Sequence, residues 1–269
     1  MVNVVDLHSH ILPGIDDGVD LHSHILPGID DGARSLEESV EIAIAAVRDG
    51  TTIMAATPHV RDDFPTAATT MERLVLELRE ILYAKGIELQ VLGGAEIAIQ
   101  NLQVLDPEEQ RRFALGSNPH YLLVEFPYFG WPLSLENEIW KLKQRGITPV
   151  IAHPERNPQV QEATRQIAPL VAAGALVQLT AASVDGRLGR RCRNASRELI
   201  AAGNAHLIAS DAHWPGLRKA GTSGAAKALR DPELARWLTR DVPAAIVKDL
   251  PIPERPQRKR RTLRRSVRL

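Results

Sequence analysis

The sequence predicts an α/β fold, a closed parallel (β/α) barrel with an open parallel sheet as the alternative. Three observations carry this expectation. Seven apolar, strand-like runs each precede a helical pattern. Glycines close several of the helical patterns, as C-terminal caps do. The His and acidic residues gather at the ends of the strands, where such barrels keep their reactive groups.

The first strand is ambiguous, because residues 5–18 and 19–32 have the same fourteen-residue sequence, VDLHSHILPGIDDG. Each copy reads as a strand running into a loop, with two His at i and i+2 on one side and two aspartates after a Pro-Gly turn. Only one copy can fill one strand position. If the first does so, fourteen residues must bulge before the next helix, at about 1 kcal/mol of closure entropy. The second copy runs straight into that helix, so His22, His24, Asp30 and Asp31 are expected in the strand and its loop. His8, His10, Asp16 and Asp17 of the first copy are then spare chelators or part of a loose N-terminal extension.

Ser35, with Glu38 three residues on, reads as a capping box opening a helix to about Arg48. A strand follows at 51–59 and ends at His59. A helix spans 70–85. The next strand, ELQVLGGAEI, ends at Glu96, and a short helix lies near 106–114. YLLVEFP at 121–127 is a strand carrying Glu125, and Ser134 caps the helix after it. TPVIAHPER at 148–156 is a strand ending in His153, Glu155 and Arg156. A helix at 160–173, a strand ALVQLTAAS, a helix at 190–202, a last strand at 205–213 and helical patterns over 219–245 complete the order. Residues 251–269 leave the pattern and read as a disordered basic tail.

The 269 residues carry 33 basic and 33 acidic side chains. Residues 255–269 hold eight of the basic ones and no acid, leaving the body about −8. No apolar run reaches the length of a membrane span, and the N-terminus lacks a signal-peptide pattern. A cytoplasmic location is expected. The single cysteine, Cys192, stands in Cys-x4-Arg rather than the Cys-x5-Arg of cysteine phosphatases and reads as structural.

His22, His24, Asp31, His59, Glu96, Glu125, His153, Asp211 and His213 all fall at or just beyond strand ends. His120 and His206 fall at strand starts and read as structural or surface residues. A lone strand-end His is more often a hydrogen-bonded structural residue than a ligand. The pairs His22/His24 and Asp211/His213 are stronger signals, and Glu125 inside a doubly buried strand calls for a cation. So many imidazole and carboxylate groups exceed the needs of one ion. Two or three divalent ions follow, and ligands without thiolate suit Mn, Fe or Zn. Such centres typically hydrolyse phosphoesters. Arg156 is placed to clamp a phosphate. Arg61 and Arg218 are weaker candidates and read first as solvated surface residues. The loop PYFGWP at 127–132 offers rings that either stack on a substrate ring or anchor the loop.

DLHSHILPGIDDG, ATPH, GAEI, LVEFP, PVIAHPER and IASDAH stand here in the order and spacing of the polymerase and histidinol phosphatase (PHP) superfamily. Over residues 19–250 the chain resembles the bacterial manganese-dependent tyrosine-protein phosphatases of capsule and exopolysaccharide operons. The resemblance implies a distorted (β/α)7, TIM-like barrel with a trinuclear centre, residues 1–18 outside it and a basic tail from 251. It implies the nine strand-end residues as ligands, with Arg156, Asp31 and His213 as catalytic groups and Asp30 behind the ligands. It also implies Mn2+ as the cofactor and a phosphorylated bacterial tyrosine kinase as substrate, hydrolysed by in-line attack of a metal-activated hydroxide. The basic cluster some members carry after the His59 position is replaced here by residues 60–64, VRDDF. Two rivals stand beside this reading. One is a small-molecule phosphatase of the superfamily, such as histidinol-phosphate phosphatase. The other is a non-enzymatic module whose basic tail contacts an anionic membrane or, without sequence specificity, nucleic acid.

Overall fold

The computed structural model describes residues 18–213 and 218–257. Residues 5–17 of the first repeat copy, with His8, His10, Asp16 and Asp17, lie outside the described residues, as does the tail from residue 258.

The second copy supplies the first strand, β1 (Gly18–Asp20). Helix α1 (Leu36–Arg48) starts at Ser35, whose side chain accepts from the Glu38 N–H. Glu38 reaches back to the Arg34 N–H at 2.8 Å, so the reciprocal half of the expected box sits one residue early. Strands β2 (Thr51–Ala55), β3 (His59–Arg61) and β4 (Phe64–Pro65) follow, then α2 (Ala68–Ala84), β5 (Gln90–Leu92) and β6 (Glu96–Ala98). The short α3 (Pro107–Arg112) leads to β7 (Tyr121–Glu125), α4 (Leu135–Gln144) and β8 (Thr148–Ala152).

The helix expected over 160–173 is broken. It comprises α5 (Pro158–Glu162), a 3-10 turn and α6 (Ala168–Ala172). Pro169 lacks an N–H and cannot continue a helix from the turn before it. Strand β9 (Leu176–Thr180), α7 (Ala181–Val184), α8 (Arg190–Ala202) and β10 (Leu207–Ala209) come next. The last helical region divides at Pro232 and Pro243 into α9 (Ser223–Leu229), α10 (Pro232–Arg236), a π turn and α11 (Val242–Val247). Residues beyond 250 do not leave the body at once. The Trp237 indole donates to the Pro253 carbonyl at 2.9 Å, and Arg255 donates to the Ile200 carbonyl.

Among the described residues the strands form two sheets, β1-β2-β5 and β10-β9-β8-β7-β6-β3-β4. Every pair is parallel except the β3–β4 hairpin. The structure is therefore a mixed α/β domain, and neither sheet closes on itself as the expected barrel would. The ladder breaks where β1, β2 and β5 run into their loops. Pro58 has no N–H to give, and the Gly93-Gly94 pair carries no side chains to pack on a pleat. Single backbone hydrogen bonds continue across the breaks: Thr57 N–H to Ser23 O (2.8 Å), Asp211 N–H to His22 O (2.9 Å) and His24 N–H to Ala212 O (2.7 Å).

The core is the apolar face of these strands, with Leu21, Met54, Ile97, Leu122, Val150, Val177 and Ile208 essentially inaccessible. Two glycines, the last of each repeat copy, are fixed by close approach. A Cβ at Gly18 would lie 2.4 Å from the Gly50 carbonyl oxygen, and one at Gly32 would lie 2.2 Å from the His24 carbonyl oxygen. Among the described residues no helix is long and apolar enough to cross a membrane.

Candidate metal centre

Residues 22–24 are held between the ends of β2 and β10. The Ser23 hydroxyl donates to the Ala55 carbonyl at 2.7 Å, and Ser23 bridges to Ala212. Strand alternation then sends both flanking imidazoles to the other side, and their Nε2 atoms lie 3.2 Å apart. His59 starts β3, Glu96 starts β6 and Glu125 ends β7. His153 and Asp211 follow β8 and β10 in left-handed backbone conformations, φ 32° and 54°. Such strain in residues with side chains is concentrated at functional sites.

All nine strand-end residues meet. Glu96 is central: its Oε2 lies 3.2 Å from His22 Nε2, 3.4 Å from His24 Nε2 and 3.1 Å from His59 Nδ1, and its Oε1 lies 2.7 Å from His153 Nε2. Asp211 Oδ1 is 3.6 Å from both His22 and His24 Nε2. Asp31 Oδ1 lies 3.4 Å from His59 Nε2 and from His213 Nε2. Three groups of ligand atoms fall within 4.8 Å of one another: His24, Asp31, His59 and His213; His22, His24 and Glu96; and His59, Glu96 and Glu125.

The residues fit divalent ions. Ligands about 2.1 Å from a shared ion sit roughly 3–3.5 Å apart, which is the spacing found. Both Glu96 oxygens, Glu125 Oε1, Asp211 Oδ1 and His59 Nδ1 are buried without a hydrogen-bond partner, a costly arrangement unless a cation takes those lone pairs. Burial, and then the neighbouring Glu96 charge, pushes the Glu125 carboxyl up to about 8. Two carboxylates so close resist joint ionisation until positive charge comes between them.

Groups outside the ligand set aim the imidazoles. His22 Nδ1 meets Gln178 Oε1 at 3.0 Å, His24 Nδ1 meets Asp30 Oδ2 at 2.7 Å and His213 Nδ1 meets the Asp211 carbonyl at 3.0 Å. In each case Nε2 is left to face the centre. Asp30 also accepts from the His59 and Gly32 N–H groups, so it stands behind two of the clustered histidines. Gln178, and Asp20, which accepts from the Ser210 N–H at 2.9 Å, escaped the sequence reading. Each is a fully buried polar residue among apolar strand neighbours, a pattern whose meaning depends on the strand it faces.

Arg156 donates to Asp211 Oδ2 at 2.7 Å and to the Tyr128 hydroxyl at 3.0 Å. Burial opposes its charge, but Asp211 and other nearby acidic groups hold the guanidinium above its usual range. Arg218 is only 8% exposed and donates to the same Asp211 oxygen at 2.9 Å. The expectation of a solvated arginine is thereby corrected, since a buried carboxylate draws the side chain inward. Arg61 Nη1 lies 3.5 Å from Glu125 Oε2. Three cations thus rim the cluster. Asp31 is the one member of the cluster that opens to solvent, its side chain 43% exposed. His120 pairs with Asp249 at 2.9 Å and His206 accepts from the Val177 N–H at 3.1 Å, and neither takes part in the cluster. Burial and Glu155 push the Cys192 thiol up, the opposite of an activated nucleophile.

A mixed α/β domain with a buried His/carboxylate cluster able to hold metal at its strand ends defines a metal-binding α/β protein of the hydrolytic type. The chain belongs to the CpsB/CapC family of capsular polysaccharide synthesis, whose model matches residues 19–232. It is 34% identical to the tyrosine-protein phosphatase YwqE of Bacillus subtilis, over 78% of this chain and 77% of that protein. It is 33% identical to the putative tyrosine-protein phosphatase CapC of Staphylococcus aureus, with the same shares covered. Among solved structures it resembles a chain from the crystal structures of YwqE and of CpsB from Streptococcus pneumoniae, described as metal-dependent tyrosine phosphatases. That match has a TM-score of 0.79 at 31% identity and covers 89% of this chain and all of the other.

Proposed function

We propose that this chain is a metal-dependent protein-tyrosine phosphatase, and that its substrate is the phosphotyrosine of a bacterial kinase that controls capsule or exopolysaccharide synthesis. The observation that carries the reading is the convergence of nine imidazole and carboxylate groups, with their orphaned oxygens, beneath Arg156. The relatives' names supply the substrate class.

His22, His24, Asp31, His59, Glu96, Glu125, His153, Asp211 and His213 would hold two or three ions, Mn2+ first and Fe or Zn as substitutes. When bound, the ions lower the pKa of water and neutralise phosphoryl oxygens. Glu96 and Asp211, each in reach of several imidazoles, fix the spacing of the sites. Arg156, already braced by Asp211 and Tyr128, turns its remaining donors to a phosphoryl oxygen. Asp31 and His213, at the solvent-open side, orient water toward phosphorus and pass its proton outward. The tyrosine phenolate leaves without a covalent enzyme intermediate, so Cys192 has no part.

We further read residues 19–250 as the catalytic unit, a distorted (β/α)7 barrel. The single hydrogen bonds linking residues 22–24 to 57 and 211–212 support this reading. A cytoplasmic location completes this reading, with the basic charge of residues 255–269 open to contact with anionic membrane. Metal analysis combined with a phosphotyrosine-peptide assay tests the reading. Bound manganese and hydrolysis that chelation abolishes are expected. Full activity in metal-free protein, or turnover confined to histidinol phosphate, would overturn it.

A further inference from the structure

Aromatic side chains are scarce here, 4% of the residues, yet residues 127–132 after β7 carry three of them, and they divide by role. Trp131 packs edge-on against Phe126 at 5.7 Å and anchors the loop. Tyr128 lies parallel to His153, with ring centroids 6.4 Å apart and planes 7° apart, and the Arg156 guanidinium sits 5.1 Å from its centroid. Phe129 beside it is 82% exposed. The loop does not hang free. The Asn157 side chain donates to the carbonyls of Pro127 and Gly130, at 2.9 and 3.2 Å. The same Asn157 follows Arg156 directly and caps α5. Loop and phosphate-facing arginine are therefore mounted on one short segment.

We propose that Tyr128 and Phe129 form an aromatic lip that receives the phenyl ring of the substrate and sets a preference for aryl over alkyl phosphate esters. The inference rests on the phosphatase reading above. In a phosphotyrosine the ring begins one ester oxygen from the phosphorus. A phosphate held at Arg156 therefore has its ring beside Tyr128, within reach of an otherwise uncovered Phe129. Ring-on-ring contact is favourable and desolvates both faces. A phosphoserine at the same place has no ring to offer and leaves the lip in water. The two residues act on binding of the ester, and the chemistry at phosphorus stays with the centre below.

The test uses the full chain loaded with Mn2+ and two peptides of one sequence, bearing phosphotyrosine or phosphoserine. Phe129→Ala and Tyr128→Ala should each lower the phosphotyrosine-to-phosphoserine preference in kcat/KM by about tenfold. The loss should appear in KM, with metal content unchanged. Tyr128→Phe keeps the ring while removing the hydroxyl that meets Arg156, and it should keep the preference. If both alanine variants retain the wild-type preference, or lose both substrates in equal proportion, the lip is refuted. If the wild type releases phosphate from neither peptide, the phosphatase reading itself fails and the lip falls with it.

Discussion

The two ends of the strands hold the same residue types under opposite rules. At the start of the strands, His120 meets Asp249 and His206 meets the Val177 N–H, so each imidazole has a partner from the chain itself. At the far end, imidazoles crowd carboxylates of which both Glu96 oxygens, Glu125 Oε1 and Asp211 Oδ1 find no donor. A histidine serves the fold when the protein completes its hydrogen bonding, and it awaits a ligand when several incomplete groups point at one place. The contrast lies in unsatisfied atoms rather than in residue names.

Breaking the crowded end at its centre should have the largest effect. Glu96→Gln keeps the shape and removes the charge shared by four imidazoles, and activity should fall more than a hundredfold, beyond the usual cost of changes behind a metal site. Elemental analysis of the same variant should show lost metal, while His120→Ala keeps both metal and activity. Asp30→Asn tests the outer layer. It should weaken metal affinity by about 10–100-fold, read by titrating stripped protein with Mn2+.

Removing the ions altogether should cost stability only at this end. Thermal melts with metal at a hundredfold excess over its Kd should gain about 2.7 kcal/mol per ion over chelated protein. The partnered end yields the smallest effect, and it depends on pH. Burial, with help from Arg255, pulls His206 down from 6.5 to about 4. The unfolded chain therefore takes up this proton first, and stability is lost as pH falls through that window. The loss should be about 1–2 kcal/mol after discounting for partial exposure. Replacing His206 with Asn keeps an acceptor for Val177 and should flatten the acid limb of the stability curve.

Much of this contrast was legible in the sequence, because strand polarity sorts histidines before any coordinates exist. His22, His24, His59 and His153 follow apolar runs, whereas His120 and His206 precede them. Asp30 was legible through its neighbour. Gln178 and Asp20 were not read, since a polar residue within a strand acquires meaning only when the facing strand is known. Arg218 was misjudged because a loop position does not reveal a buried carboxylate nearby. The gaps in the strand ladder were hidden for a similar reason. Periodicity gives strands and their order, but Pro58 and the Gly93-Gly94 pair interrupt pairing exactly where the ligands are presented.

Gly18 ends one copy of the repeat and begins the strand formed by the next. A chain slipped by one repeat would bring Val4 to that place, where a Cβ meets the Gly50 carbonyl at 2.4 Å. The tandem duplication therefore does not leave the protein choosing between two equivalent threadings. One glycine acts as a ratchet tooth that favours the second motif in the sheet. A variant lacking residues 5–18 would place Val4 beside Val19 and give up that tooth. Its stability relative to the full chain would show how much the ratchet holds.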